Sequence, residues 1–276
     1  MGTPLKDWDI QINYGIKTGF NEAFIIDGAK RKELIAQDPK SEELIRPILR
    51  GRDIKRYGYD FGEKYLIVTF PSRGYDIDDY PALKTFLLGF KPKLKQTGEV
   101  LTSIEKQQVI AHALANGITL KETDLKSSRK KTNNKWFETQ DSISYWEDFS
   151  KQKIVWKRVG SILRFSYDEV GMMALDSTCF ATGKHIKFLV AVLNSKMGRY
   201  LMKDAPQTGT GDLLISVQAI EPLKIPVPDK NTENAIENII DSILKKQNVD
   251  LEKKLNQIIY KMYELNKDEI AFIEAQ

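Results

Sequence analysis

After Asp229 the chain repeats its isoleucines at a helical period. Ile236, Ile239, Ile240, Ile243 and Leu244 fall on one face of TENAIENIIDSILKKQ, and Leu251, Leu255, Ile258, Ile259 and Met262 do the same in DLEKKLNQIIYKMYEL. A 3.6-residue period does not suit a strand, and it leaves a helix with one apolar stripe that has to be covered. Thr232 is placed to cap the first helix. Asn266 and Glu269 form a capping-box pattern ahead of a short third helix, NKDEIAFIEA. The link Gln247 to Asp250 is short enough to fold the first two helices into a hairpin. The tail must therefore pack on the rest of the chain or on a partner. The chain is accordingly divided into a main domain, residues 1–229, and a helical spacer or docking segment, residues 230–276.

The main domain mixes strands and helices. WDIQINYGIKTGFNEAFIID reads as strands broken at Gly15 and Gly19, with EAFIID the second strand. AKRKELIAQDPKSEELIRPILRG reads as two helical pieces split at Asp38-Pro39, the second capped by Ser41 and carrying Leu44, Ile45 and Ile48, though Pro47 shortens it. KYLIVTFP is a strand. Pro81 starts a helix with Leu83, Phe86, Leu87 and Phe90 on one stripe. The spacing predicts a helix over 102–115, closed by Gly117. The polar stretch 121–134 reads as a flexible loop. KIVWKRV, LRFSYDE and DSTCFATG are strands, and HIKFLVAVLNSKMGRYLMKD is one amphipathic helix with Phe188, Leu189, Val192, Leu193 and Met197 inward.

Charge is distributed unevenly. After Asp229 there are seven Lys and nine Asp or Glu, a net of −2, so the first 229 residues carry +6 of a chain whose total is +4. The cations cluster: Arg50, Arg52, Lys55 and Arg56; Lys126, Arg129, Lys130, Lys131 and Lys135; Lys157, Arg158 and Arg164. Tyr57, Trp136, Trp156 and Phe165 sit beside these clusters. Cations interleaved with rings suit nucleic acid, where charge grips phosphate and rings pack on sugars or bases. The alternative is a solvated charged face. No apolar run is long enough for a membrane-spanning helix, and the first residues lack the basic start and apolar core of a signal peptide. The one cysteine, Cys179, cannot form an intramolecular disulfide, and the default compartment is the cytoplasm. Two histidines, His112 and His185, offer little for a zinc site.

Tests for catalysis find no reaction centre. There is no cofactor glycine motif and no N-P-P-Y or D-P-P-Y tetrapeptide of an amino-methyltransferase. Glu252-Lys253-Lys254 resembles part of a metal-dependent nuclease motif, but it lies on an amphipathic helix as solvated face. His185 lacks the setting of a serine hydrolase, and Cys179 reads as a small core residue. PQTGTGDLLISVQ, residues 206–218, fits neither a phosphate-binding loop nor a dinucleotide fingerprint, since no lysine follows Gly211 and no third glycine appears. It reads instead as a glycine-hinged loop running into a strand.

Several stretches resemble one family in order. GIKTGFNEAFII and ELIRPILRGRDIKRY are similar to the start of the target recognition domain of fused type II restriction–methyltransferase enzymes. NKWFETQDSISYW, FSKQKIVWKRV, LVAVLNSKMGRYLM and QTGTGDLLISVQAIEPLKIPVP continue it, and LEKKLNQIIYKMYELNKDEIAFIE resembles the close of the same proteins. These domains are in turn similar to one half of the specificity subunit of type I restriction systems.

The resemblance implies an α/β fold of mixed α+β character, with a mixed or antiparallel sheet, flanking helices and a C-terminal helical hairpin. It implies sequence-specific recognition of double-stranded DNA by a chain that is not itself an enzyme, beside an adenine-specific methyltransferase domain or subunit. S-adenosylmethionine and magnesium would belong to the methyltransferase and nuclease parts, and no cofactor, metal or membrane is expected for this chain. A methyltransferase must flip its adenine out of the stack, and a separate domain gripping the duplex supplies readout and leverage. The residues expected to face DNA are Lys17, Thr18, Arg50, Arg52, Lys55, Arg56, Lys157, Arg158, Arg164, Thr208, Thr210, Asp212 and Gln218. Most would hold phosphates, while Asp212 could accept from a cytosine amine. A small nuclease with an unrecognised metal site, or an interaction domain pairing through its C-terminal helices, are the other readings.

Overall fold

A computed structural model describes residues 2–276. In chain order the strands used below are β1 (Ile10–Tyr14), β2 (Ile25–Asp27), β3 (Ile45–Leu49), β4 (Lys64–Ile67), β5 (Lys153–Lys157), β6 (Val159–Gly160), β7 (Phe165–Asp168), β8 (Thr178–Gly183) and β9 (Leu213–Leu214). The helices are α1 (Gly28–Gln37), α2 (Pro81–Leu88), α3 (Ser103–Ala115), α4 (Ile186–Asn194), α5 (Lys196–Leu201), α6 (Lys230–Lys245), α7 (Val249–Met262) and α8 (Lys267–Glu274). The chain forms two interleaved units. The first holds residues up to Gly15, Leu49–Phe61 and Glu147–Gln276; the second holds Ile16–Ile48 and Gly62–Trp146.

The first unit is built on an antiparallel sheet in the order β1-β8-β5-β7. Its β8 is buried on both faces, and helix α4 is apolar almost all round because it lies between the sheet and α6. Trp156 and Phe165 from the sheet, Phe188 from α4, Ile236 and Ile240 from α6, and Leu255 and Ile259 from α7 share one core. The apolar stripes of the tail are therefore covered from within the chain. The change at residue 229/230 is one of composition and not a gap in packing.

The expected single helix over 185–204 is broken at Ser195. Its side chain leaves the helical path to cap α5, accepting from the Gly198 N–H at 3.0 Å. A Cβ at Gly198 would lie 2.2 Å from the Val192 carbonyl oxygen, so only glycine allows the chain to fold back this tightly. The cap of α6 is Asp229, which accepts from the N–H groups of Asn231 and Thr232, in place of the expected Thr232. The capping box of Asn266 and Glu269 forms as its spacing suggests. In LLISVQ only Leu213–Leu214 is strand, and Val217–Ile220 is a helical turn.

Fully buried in the same unit is an ion pair between Lys153 of β5 and Asp168 of β7, cross-strand partners in the sheet. Lys153 also donates to the Phe149 carbonyl at 2.6 Å. Asp168 accepts from the Tyr59 hydroxyl at 2.8 Å and from the N–H groups of Met172 and Val170. Burial pushes the Lys153 ammonium below its ordinary pKa, and Asp168 opposes that shift.

In the second unit β4 lies between β2 and β3, antiparallel to both. The sequence reading placed Ile45–Leu49 on a helix and EAFIID wholly on a strand. Pro39–Leu44 is instead a 3-10 turn capped by Asp38, with Ser41 buried, and Ile45–Leu49 is a strand. Ile45 and Ile48 lie on opposite faces of the strand and both are buried, while Arg46 between them is exposed, a pattern that periodicity cannot separate from a helix. Asn21–Phe24 is a helical turn ahead of β2. Helix α3 begins with a capping box at Thr102 and Glu105, and the chain leaves it through Gly117 at φ 73°.

The stretch 121–134 is pinned. Arg129 is buried and fans its guanidinium over four carbonyl oxygens, those of Leu94, Thr18, Glu138 and Trp136, at 2.5 to 3.0 Å. Burial lowers its pKa to about 10, which leaves it charged at neutral pH. Its acceptors are backbone carbonyls brought together by the fold, those of Leu94 and Thr18 from far along the chain, so nothing in KSSRKKTNNK announces a buried cation. Among the described residues no helix is long and apolar enough to cross a membrane.

Candidate nucleic-acid interface

One end of the sheet in the first unit gathers cations. Strand β5 ends at Lys157, β1 ends at Tyr14, and β8 begins beside Ser177, so these three ends coincide. Phe165 pairs with Trp156 in antiparallel register, which places Arg164 at the same end as Lys157. The loop after β3 closes over it. Gly51 donates its N–H to the Ser177 hydroxyl at 3.2 Å, and its missing Cβ makes room for the Lys157 stem, whose Cγ would stand 3.1 Å from that atom. Arg52 follows in this loop and is exposed.

Arg158 lies over the Tyr14 ring, its guanidinium carbon 4.9 Å from the centroid, and donates to the Asp176 carbonyl at 3.1 Å. The Tyr14 hydroxyl in turn donates to Gln218 at 3.0 Å. The cation–π contact and the Asp176 hydrogen bond hold the guanidinium in place, while its Nε is buried with no hydrogen-bond partner among the described residues. Among the described residues no ion pair engages Arg52, Lys157, Arg158 or Arg164. Tyr14 has no place in the basic clusters of the sequence, and only the sheet register brings it beneath Arg158.

The other expected contacts divide. Arg50 is taken up by Asp53, with Nε and Nη2 donating to the two carboxylate oxygens at 2.9 and 2.8 Å, which folds the loop on itself. Lys55 pairs with Asp60 at 3.2 Å in an exposed bridge. Arg56 turns to the helical tail, donating to Glu252 at 2.8 Å and to the Asn194 carbonyl at 3.1 Å. Glu252, weighed in the sequence as part of a nuclease motif, is thus the acceptor of an arginine. Among the described residues no group of three or more His, Cys, Asp or Glu is placed to hold a metal ion.

The glycine-hinged loop is a closed turn. Thr208 N–H donates to the Asp212 carbonyl at 2.8 Å, Asp212 N–H donates to the Thr208 hydroxyl at 3.2 Å, and the Thr208 and Thr210 hydroxyls share a hydrogen bond at 2.8 Å. Gly211 holds φ 84°, which the turn requires. Strand β9, which follows, pairs with β6, so the turn extends from the strand next to Arg158. In the second unit Lys17 is exposed, but Thr18 is buried, its hydroxyl bound to Asn21 at 2.7 Å and accepting from the Phe20 N–H. Thr18 is therefore a structural residue and offers no donor at the surface.

A model of the TaqI-like C-terminal specificity domain matches residues 46–225. Among solved structures, the type IIL restriction-modification enzyme MmeI in complex with DNA is similar over 99% of this chain and 36% of that one, at 14% identity and a TM-score of 0.60. The type IIG restriction endonuclease BpuSI matches 95% of this chain and 31% of that one, at 13% identity and a TM-score of 0.46. A search of curated proteins finds no match. The chain thus spans about a third of the length of these two enzymes. The likeness to MmeI is one of fold, a mixed α/β architecture with C-terminal helices. The family model, by contrast, covers well over half of the sequence, including strands β5, β7 and β8, and on that ground the chain belongs to the TaqI-like C-terminal specificity domain family.

Proposed function

We propose that this chain recognises a specific sequence in double-stranded DNA for a restriction–modification enzyme, working beside an adenine methyltransferase domain or subunit. The observation that carries this reading is the unpaired cationic sheet end of Arg52, Lys157, Arg158 and Arg164, with Tyr14 and Gln218 among them. Cations without protein counter-ions are free to displace counterions from phosphates, and each such contact adds to the salt dependence of binding. In this reading Gln218, bonded to the Tyr14 hydroxyl, and the turn Thr208–Asp212, which runs into β9, approach base edges or phosphate. In this reading Arg50 and Arg56 shape the loop and anchor it to the tail. S-adenosylmethionine and magnesium act in the methyltransferase and nuclease parts.

The test is the binding of the full chain to a fluorescently labelled random-sequence duplex over a range of salt. Replacing Arg52 and Lys157 together by Gln weakens binding to all sequences alike and lowers the slope of log affinity against log salt by roughly two, at about 0.9 per phosphate contact. An unchanged slope removes these residues from the interface. Because both side chains are exposed, the melting temperature stays within a degree or two, a scale set by surface substitutions of about ±0.5 kcal/mol. A second substitution separates readout from grip: Gln218→Ala is expected to reduce the preference for the recognised sequence while leaving random-duplex affinity and its salt slope near those of the native chain. A parallel fall on all sequences would make Gln218 a support for Tyr14 alone.

A further inference from the structure

The segment 126–136 of the second unit carries five cations and no acid. Four of them, Lys126, Lys130, Lys131 and Lys135, are exposed, and the fifth is the buried Arg129. We propose that this segment, with the neighbouring Lys17 and Lys91, is a second DNA-phosphate-binding surface, pre-shaped by Arg129; this rests on the DNA-recognition reading above.

Three observations carry it. First, the charge is unspent. Elsewhere in the unit the exposed or half-buried cations Lys30, Arg31, Lys40, Lys84, Lys95 and Lys106 have acidic partners within 4 Å. Those without one among the described residues, Lys32, Arg46, Lys64, Arg73, Lys93 and Lys121, are spread along the chain, whereas the segment gathers its four exposed lysines between residues 126 and 135. Among the described residues no ion pair engages Lys17, Lys91, Lys126, Lys130, Lys131 or Lys135. The acid inside the fold nearby, Glu138, is buried and accepts the Lys135 backbone N–H at 2.7 Å. Glu99 and Asp141 remain at the margin, where the backbone of the segment and of Lys17 meets them.

Second, the backbone is fixed without any ligand. Arg129 N–H donates to the Lys95 carbonyl at 2.9 Å, Thr132 N–H to the Gln96 carbonyl at 3.1 Å, and Ser128 N–H to the Glu99 carbonyl at 2.8 Å. The Thr132 hydroxyl donates to the Gln96 side chain at 2.6 Å, and Asn134 bonds to the carbonyls of Thr139 and Gln140. Arg129 adds its fan beneath. A row of lysines on a strapped backbone meets a phosphate row without the ordering cost that a flexible basic loop incurs. Third, Arg129 reaches the Thr18 carbonyl, and Asp141 N–H donates to the Lys17 carbonyl, so Lys17 is carried to the same surface. Lys91 joins through Trp136, its ammonium 5.3 Å from the ring centroid. Arg129 is a positioning residue here. It touches no phosphate.

The experiment titrates the full chain with the same random-sequence duplex over a salt range. Lys130→Gln with Lys131→Gln is expected to lower the salt slope by roughly two, and Lys32→Gln, an exposed lysine of α1 outside the segment, to leave it unchanged. Lys131→Gln alone, expected to lower the slope by about one, serves if the pair melts early. A native slope in the lysine variants, with a flattened slope in the Arg52 and Lys157 variant, overturns the second surface and leaves the proposed function standing. An equal fall in Lys32→Gln also overturns it, because the effect would then be one of net charge. If the native chain does not bind the duplex at all, both readings fall.

Discussion

Asp168→Ala is expected to lower the unfolding free energy by about 3–5 kcal/mol, the cost of leaving one partner of a buried ion pair uncompensated. The substitution leaves the Lys153 ammonium, fully buried, with the Phe149 carbonyl as its one acceptor among the described residues. It also removes the acceptor for the Tyr59 hydroxyl and the Met172 and Val170 N–H groups. Lys153→Met should cost less. The Asp168 carboxylate would then keep those three hydrogen-bond donors. Urea denaturation of both variants checks the order. A larger loss in Lys153→Met, or a loss below about 1 kcal/mol in Asp168→Ala, would show that the pair is not the buried hub its geometry describes.

Arg129→Met keeps the length of the side chain and removes every donor. The Thr18 carbonyl retains the Gln140 N–H, but those of Leu94, Glu138 and Trp136 lose the arginine that satisfied them. Each orphaned buried carbonyl costs about 1–3 kcal/mol, and with partial relaxation the sum is on the order of 3–6 kcal/mol. The loss should be local at first. Hydrogen exchange is expected to quicken at the amides of Gly98, Ser128, Arg129 and Thr132 before it does in β5 and β8. Uniform acceleration across both units would contradict a local role. Arg129→Lys, with fewer donors and no planar fork, should fall between Met and the native residue.

Those two residues mark the limit of what the sequence discloses. Segments whose character is local were legible. The stripes of α2, α6 and α7, the strands β5, β7 and β8, and the capping box at Asn266 all follow from spacing within a few residues. The family could be read as well, from motifs in order. The candidate interface was legible in its residue types and only partly in its membership. Arg52, Lys157, Arg158 and Arg164 look no different in sequence from Arg50 and Arg56, which serve Asp53 and Glu252. Arg129 and Lys153 could not be told from solvated cations, because their acceptors are placed by the fold. Ile45–Leu49 went astray for a related reason: its buried residues Ile45 and Ile48 fall on opposite faces, so the strand shows no alternation. Pro47 was the one local sign against a helix.

The interleaving of the two units bears on how such a protein can change over generations. The chain passes between them after Gly15, Ile48, Phe61 and Trp146. A single genetic crossover within residues 16–146 hands each progeny chain a piece of both units from each parent, with strands and the arginine fan facing unfamiliar partners. A crossover beyond residue 229 would graft foreign isoleucines onto the Trp156 and Phe188 core. Change in such a chain is therefore favoured by point substitutions on its exposed surfaces over the swapping of parts.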